Sequence, residues 1–347
     1  MMKRLKFLIL FFGLLFIVLR ISILVFRLPS YTISTSGKLY VVSKLSEEVQ
    51  VINLSTGKEI TETSIDMLSH EAVATIDGKN IVLTNYGSEV DFDLKVIDTE
   101  DNKVKKTIDL KDNIKINGIV QYPEANKVAV VDYVNNKLLV LNIETEEVEK
   151  ELETNQKKSH LAVLHPKKAI AYTTNINSGS VSVIDLNNNK VIETISCGIG
   201  RKGIDITPDG SEIWVTNTKE NIITVIDTKT NTIINTISSG NESLKLKFSV
   251  DGKYCLVVNS TDGSIDIFNQ ESKEKIKTIM LHGKTTLLEK VLYHTPRPVN
   301  ILMHPNGLYA FISNSNAKKI EVVDMKSFKI VSTIGTGDVP DALVFLE

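Results

Sequence analysis

Between Gly37 and the C-terminus the chain repeats one pattern seven times, with a period of about 42 to 45 residues. Self-similarity of this kind constrains architecture before any local propensity does. The clearest copy runs Gly203-Ile-Asp-Ile-Thr-Pro-Asp-Gly210, then Ile213-Trp-Val-Thr-Asn217, Val225-Ile-Asp-Thr228 and Ile233-Ile-Asn-Thr-Ile237. A tetrad closing on Asn, Asp or Ser recurs at Tyr40–Ser43, Val82–Asn85, Ala129–Asp132, Tyr172–Asn175, Leu256–Asn259 and Phe311–Asn314. About ten residues after each tetrad a hydrophobic pair is followed by Asp or Asn, at Asn53, Asp98, Asn142, Asp185, Asp227, Asn269 and Asp324.

Each repeat divides into four short apolar runs separated by turn residues. In the fifth copy these are Gly203–Thr207, Glu212–Thr216, Ile222–Ile226 and Thr232–Ser238. The runs are rich in β-branched and aromatic residues and are punctuated by Pro-Asp-Gly, Asn-Thr and Lys-Thr-Asn, which predicts strands joined by tight turns. Four antiparallel strands per repeat make the blade of a β-propeller. One blade cannot bury both faces alone, so neighbours must stack into a ring. Asp77-Gly78, Asp209-Gly210, Asp251-Gly252 and Asn306-Gly307 fall between first and second runs, where a hairpin calls for positive φ.

The chain ends specify how the ring closes. The first copy lacks its innermost run and opens on Leu39-Tyr-Val-Val42, while a spare run, Gly337–Glu347, follows the seventh. The expected fold is all-β: a seven-bladed propeller over residues 38–347, whose C-terminal strand completes blade 1. A closed ring of this kind is expected to leave no free sheet edge.

The run from Pro208-Asp-Gly through Ile213-Trp-Val-Thr-Asn217 to Val225-Ile-Asp, with Tyr172-Thr-Thr-Asn175 and Val181-Ser-Val-Ile-Asp185 in the copy before it, resembles the YVTN repeat family. The resemblance spans roughly residues 38–347. Copies one, three and six depart from it at Ser43, Asp132, Asn53, Asn142 and Asn269. It implies an exported bacterial or archaeal surface propeller. Similar propellers include lactonases and lyases, and others bind nucleic acid.

Ahead of the propeller, Phe7–Phe26 is apolar except for Arg20 and Ser22, with Lys3, Arg4 and Lys6 before it. Twenty residues at about 1.5 Å each match the hydrocarbon core of roughly 30 Å. An N-terminal signal anchor is expected over residues 1–28, with the basic residues cytoplasmic and the propeller on the exported side of the cell membrane. Arg20 sits toward one end and can snorkel. If the segment is instead a cleaved secretory signal ending near Leu19, the propeller is secreted. Residues 29–37, rich in Ser and Thr, are expected to be a linker holding the propeller off the membrane.

The formal net charge is −2. Residues before Ser30 hold five of the 40 basic groups and no acid, which leaves 35 basic against 42 acidic, about −7, in the remainder. That balance disfavours a general phosphate-backbone binder, so nucleic acid is the weakest partner class. Two cysteines, Cys197 and Cys255, give no disulfide framework.

Propeller function concentrates at the mouth of the central channel, on the face reached by connections from outer to inner strands. Two departures from the repeat fall there. An insertion at about 281–298 lies between blades 6 and 7, with Leu287, Leu288, Val291 and Leu292 at helical spacing. The propeller's only arginines, Arg201 and Arg297, both precede an inner strand. Repeat alignment sets His70, His160, Lys202, Asp338 and Asp341 beside them. An arginine fork grips carboxylate or phosphate in a way lysine cannot, although the two arginines could instead pair with Asp338 or Asp341.

No zinc-ligand spacing, nucleophile elbow or phosphate-cradling glycine loop occurs, so no catalytic residue, metal or cofactor is assigned. The leading expectation is a monomeric, non-catalytic binding module for a protein, peptide or cell-envelope glycan, or for a small anionic ligand. A lactonase- or lyase-like enzyme and a nucleic-acid binder are the alternatives. For the repeat residues a structural role is expected. The tetrad Asn or Asp should bond its own turn, Trp214 should pack between blades, and lysines such as Lys103–Lys106 and Lys273–Lys277 should form solvated edges.

Overall fold

The computed structural model describes residues 11–15, 30–85, 93–110, 114–200, 203–283 and 296–347. It contains seven four-stranded sheets. Blade 1 joins β28 (Pro340–Leu346) to β1 (Lys38–Ser43), β2 (Glu48–Asn53) and β3 (Lys58–Ser64) in that order. The last strand of the chain is thus the innermost strand of the first blade, with Leu39 opposite Phe345 and Val41 opposite Leu343. The inner strands of blades 2 to 7 are β4 (Ser69–Ala74), β8 (Ile116–Gln121), β12 (Ser159–Leu164), β16 (Ile204–Ile206), β20 (Ser243–Phe248) and β24 (Pro298–Met303).

There is no single central core. The buried apolar residues form seven clusters, one for each junction between neighbouring blades. Trp214 of blade 5 is wholly buried against Leu246, Phe248, Cys255 and Phe268 of blade 6, and its ring meets Phe248 edge-on at 5.4 Å. Closure of the ring is one more junction of the same kind. Leu39, Val41 and Ile52 of blade 1 pack on Phe311, Ile320 and Val322 of blade 7.

The turn chemistry follows the repeat. Gly78, Gly210, Gly252 and Gly307 adopt φ of 68°, 81°, 74° and 72°, a region costly for residues with a Cβ. The Asp or Asn ending each third run is the residue that caps its own turn. Asp185 Oδ1 accepts the amides of Asn187 and Asn188. Asn53, Asp98, Asn142, Asp227, Asn269 and Asp324 do likewise. The tetrad residues divide. Asn217, Asp132, Asn175 and Asn259 are all buried; the first two cap their own turns, whereas Asn175 and Asn259 bond differently. These two tie serine hydroxyls of first and third strands together instead: Ser159 and Ser180 for Asn175, Ser243 and Ser264 for Asn259. Ser180 and Ser264 stand opposite these two asparagines, whereas Ile222 stands opposite Asn217, so a hydroxyl partner is within reach only in the blades of Asn175 and Asn259.

Three further expectations are corrected. Every blade is a separate sheet, so its fourth strand keeps a lateral edge; closure removes no edge of that kind. Lys273 is not a solvated edge residue. Its side chain is 13% exposed and lies 2.6 Å from Glu212, which in turn accepts the Trp214 indole N–H at 2.9 Å. Residues 30–37 are not a free spacer either. Ile33 is buried in the blade 7/1 junction, and Thr333 N–H donates to Ser30 O at 2.9 Å.

Residues 11–15 are helical and exposed. No helix among the described residues is long and apolar enough to cross a membrane. Most of the Phe7–Phe26 segment lies outside the described residues, as does the helix expected within the insertion.

Candidate functional site

Each inner strand begins where a connection arrives from the preceding outer strand, so the seven connections crowd one end of the channel. The turns joining second and third strands reach the same end. A cavity of about 340 Å³ opens there. Its walls include His70 and Glu71 from β4, His160 and Leu161 from β12, Lys245 from β20, Arg297 just before β24, Asp341 from β28, and Lys44 from the β1–β2 turn.

Four of the residues expected at the mouth, His70, His160, Arg297 and Asp341, therefore line one cavity. Asp338 does not. It lies on the blade 1/7 rim, where its carboxylate pairs with Lys318 and its amide donates to Ser46 Oγ at 2.6 Å. Arg201 and Lys202 lie outside the described residues. Arg297 pairs with neither Asp338 nor Asp341. Its Nη2 is 4.0 Å from Glu242 Oε1, the outer limit of an ion pair, and half of the side chain is exposed. Its backbone sits at φ 56° between two prolines, a region disfavoured for a residue with a Cβ and more so before proline.

Behind the cavity wall His70 Nδ1 meets Asp341 Oδ2 at 2.6 Å. Burial alone would lower the His70 pKa, but the Asp341 carboxylate more than reverses this and raises it above 6.5. Asp341 is almost fully buried. Burial pushes its pKa up, yet His70, followed by Lys245 and Lys44, holds it below 3.8. Lys44 is shifted down by its own burial, with Asp341 opposing.

A second contact was not foreseen from sequence. Lys245 Nζ reaches Glu71 Oε1 at 2.5 Å, joining blade 6 to blade 2, nearly across the ring. Glu71, Leu161 and Lys245 also line a second cavity of about 460 Å³, the channel proper. They form the partition between mouth and channel. Deeper, Lys247 bonds Asp205 of the adjacent blade at 2.9 Å. Alternation held the signal: in Ser243-Leu-Lys-Leu-Lys-Phe248, Leu246 and Phe248 face the blade junction, so Lys245 and Lys247 must face the channel.

The mouth thus gathers three basic side chains, Lys44, Lys245 and Arg297, against two carboxylates, Glu71 and Asp341. His70 adds to the cations as it protonates. An electropositive cavity in a chain of net charge −2 suits an anionic group small enough for 340 Å³. Among the described residues no three His, Cys, Asp or Glu side chains gather as a metal site.

The acidic rim outside the cavity yields a separate prediction. Glu48 carries a pKa raised from 4.5 to about 7 by burial and by Glu62, Glu59 and Asp338. The folded state therefore holds an extra proton between those values, and stability falls as pH rises through the window. Because Glu48 is only partly buried, its repulsion is screened to about 1 kcal/mol. Glu48→Gln should raise the melting temperature at pH 8 by about 2 °C and leave it unchanged at pH 4. Equal melting at both pH values would refute the clash.

The cytochrome D1 heme domain family model matches residues 65–287, well over half of the chain. Among solved structures, a functionally unknown protein from Desulfotomaculum acetoxidans DSM 771 superimposes with a TM-score of 0.72 at 16% identity, covering 90% of this chain and 99% of that one. Kuenenia stuttgartiensis hydrazine synthase gives a TM-score of 0.67 at 15% identity, covering 80% and 89%. At these identities the likeness is one of fold. No curated protein matches.

Proposed function

We propose a binding role for this chain, which belongs to the cytochrome D1 heme domain family: a membrane-anchored, exported propeller that captures an anionic group at its channel mouth without transforming it. The observation that carries this reading is the convergence of Lys44, Lys245, Arg297 and His70 on one cavity. Carboxylate- or phosphate-bearing ends of peptides and cell-envelope glycans are the ligands such a mouth would take. The anchor is supported by the apolar run Phe7–Phe26 behind its basic flank, and the exported placement by the YVTN-like tetrads.

The heme that the family name implies does not fit the described mouth. At about 340 Å³ the cavity is near the lower end for ligand sites. A macrocycle laid across it would rest on the Glu71–Lys245 ion pair and bury those charges beneath an apolar plate. Among the described residues the lining offers the imidazoles of His70 and His160 but no Met, Cys or Tyr. No step is therefore assigned to heme.

Calorimetric titration with citrate and with inorganic phosphate tests the reading. Each charge-assisted contact is worth about 1.5 kcal/mol. Changing Lys44 and Arg297 together to Met should therefore weaken binding by about 100-fold. Equal affinity of the double variant and the wild-type chain for both probes would remove the mouth as the binding site.

A further inference from the structure

We infer that the propeller sits with its mouth turned toward the bilayer, so that the anionic headgroup layer covers the face bearing the cavity. The inference rests on the anchored reading above and on the path of the segment that leads into the propeller.

Blade 7 ends in β25 (Tyr309–Asn314), β26 (Lys319–Asp324) and β27 (Lys329–Gly335). Gly335 pairs with Lys319, which follows the turn whose Ser315 and Asn316 line the mouth cavity. The Gly335 end of β27 is therefore the mouth end. The incoming chain runs down this strand's outer edge from that end. Ser30 bonds Thr333, its amide donating to the hydroxyl at 2.7 Å and its carbonyl accepting the amide at 2.9 Å. Thr32 N–H donates to Ser332 Oγ at 3.0 Å. Thr35 then meets His304 at 2.9 Å, in the β24–β25 turn on the opposite face. Followed backward from Thr35 to Ser30, the chain climbs toward the mouth.

Little chain remains to carry it elsewhere. Only Arg27, Leu28 and Pro29 separate the apolar run from Ser30, a reach of about 13 Å even when fully extended. Ser30 is level with Thr333, two residues or about 7 Å from the mouth end of β27 and four residues or about 13 Å from its other end, the full extent of that reach. So short a tether from the mouth-side rim brings the mouth face, rather than its opposite, to the membrane.

The mouth face suits that neighbour. Its connections carry the exposed bases Lys157, Lys158, Lys219 and Lys318 and the exposed acids Asp66 and Glu220, Lys318 being paired with Asp338, around the half-exposed Arg297. Leu45, Val134 and Ile199 project between them at 62%, 45% and 54% exposure. Basic side chains interleaved with apolar tips are the pattern by which a surface settles on anionic lipid. The opposite face also exposes apolar side chains, Ile76, Val250 and Leu308. It is the tether that decides which face meets the bilayer.

The full chain reconstituted in vesicles containing phosphatidylglycerol and a brominated lipid tests this orientation. Leu45→Cys and Val134→Cys place a fluorophore on the mouth face, and Val250→Cys and Leu308→Cys place it on the other. Cys197 and Cys255 are buried, so labelling stays at the introduced thiol. The mouth labels should lose most of their emission to the quencher while the opposite pair stays bright. The reverse pattern, or equal quenching of all four, overturns the inference. Flotation of the same vesicles keeps the premises apart. A chain that floats with bright mouth labels overturns the orientation alone, while one that fails to float overturns the anchor and the orientation together. Citrate titration reports on the ligand reading independently of both.

Discussion

A chain ending at Val339 should fail to reach a cooperative fold. Removing β28 takes away the inner strand of blade 1, with Ala342, Leu343 and Val344 all buried. Burying a large apolar side chain contributes about 1.5–3 kcal/mol, and a domain's whole margin is only about 5–15 kcal/mol. The loss also spreads beyond one blade. Val344 belongs to the blade 1/2 junction and Leu343 to the blade 7/1 junction, so both sides of the closure lose contacts together. The bared edge of β1 would then lie open to pairing with other chains. Size-exclusion chromatography and thermal melting by circular dichroism should show aggregate and no sigmoidal transition. A monomer melting at the wild-type midpoint would mean that the ring is held without its last strand.

That closure was legible in the sequence for a plain reason: one copy lacks its first run and a spare run follows the last. The strands and turns were legible too, because each local signal is stated seven times. The site was legible only where function sits at a fixed offset in the repeat. His70, His160, Arg297 and Asp341 share the start of an inner strand or the residue just before it, so aligning the copies gathers them as the ring does. Lys44 escaped because it lies in the β1–β2 turn, which approaches the mouth only in space. The Glu71–Lys245 bridge escaped because its partners stand 174 residues apart, in blades with no sequence relation beyond the shared repeat. Asn175 and Asn259 show the same limit: their spacing and burial match those of Asn217, but Ser180 and Ser264 stand opposite them where Ile222 stands opposite Asn217, so they bond hydroxyls rather than a turn.

Replacing Asp341 by Asn should destabilise the protein by about 3 kcal/mol near pH 5.5, the low end for a broken buried pair. The substitution keeps the shape and removes only the charge. His70 then loses what raises its pKa, so burial drives it toward the neutral form, while Lys44 and Lys245 lose a nearby counter-charge. The pH dependence has a defined sign. The raised His70 pKa contributes stability that is fully present below 6.5 and lost as pH rises through the folded value. The lowered Asp341 pKa contributes stability that is present above 3.8 and lost as pH falls through the folded value. The two contributions overlap between about pH 4 and pH 6.5, so the gap between variant and wild type should be widest there and narrow on either side. Urea unfolding at pH 3, 5.5 and 9 measures it. The mouth should keep its affinity for anions, because the variant loses the Asp341 carboxylate together with whatever charge His70 gives up, and citrate should bind at pH 5.5 no more weakly than to the wild-type chain. A stability gap that stays constant across pH would mean that His70 and Asp341 meet as a neutral hydrogen bond rather than as an ion pair.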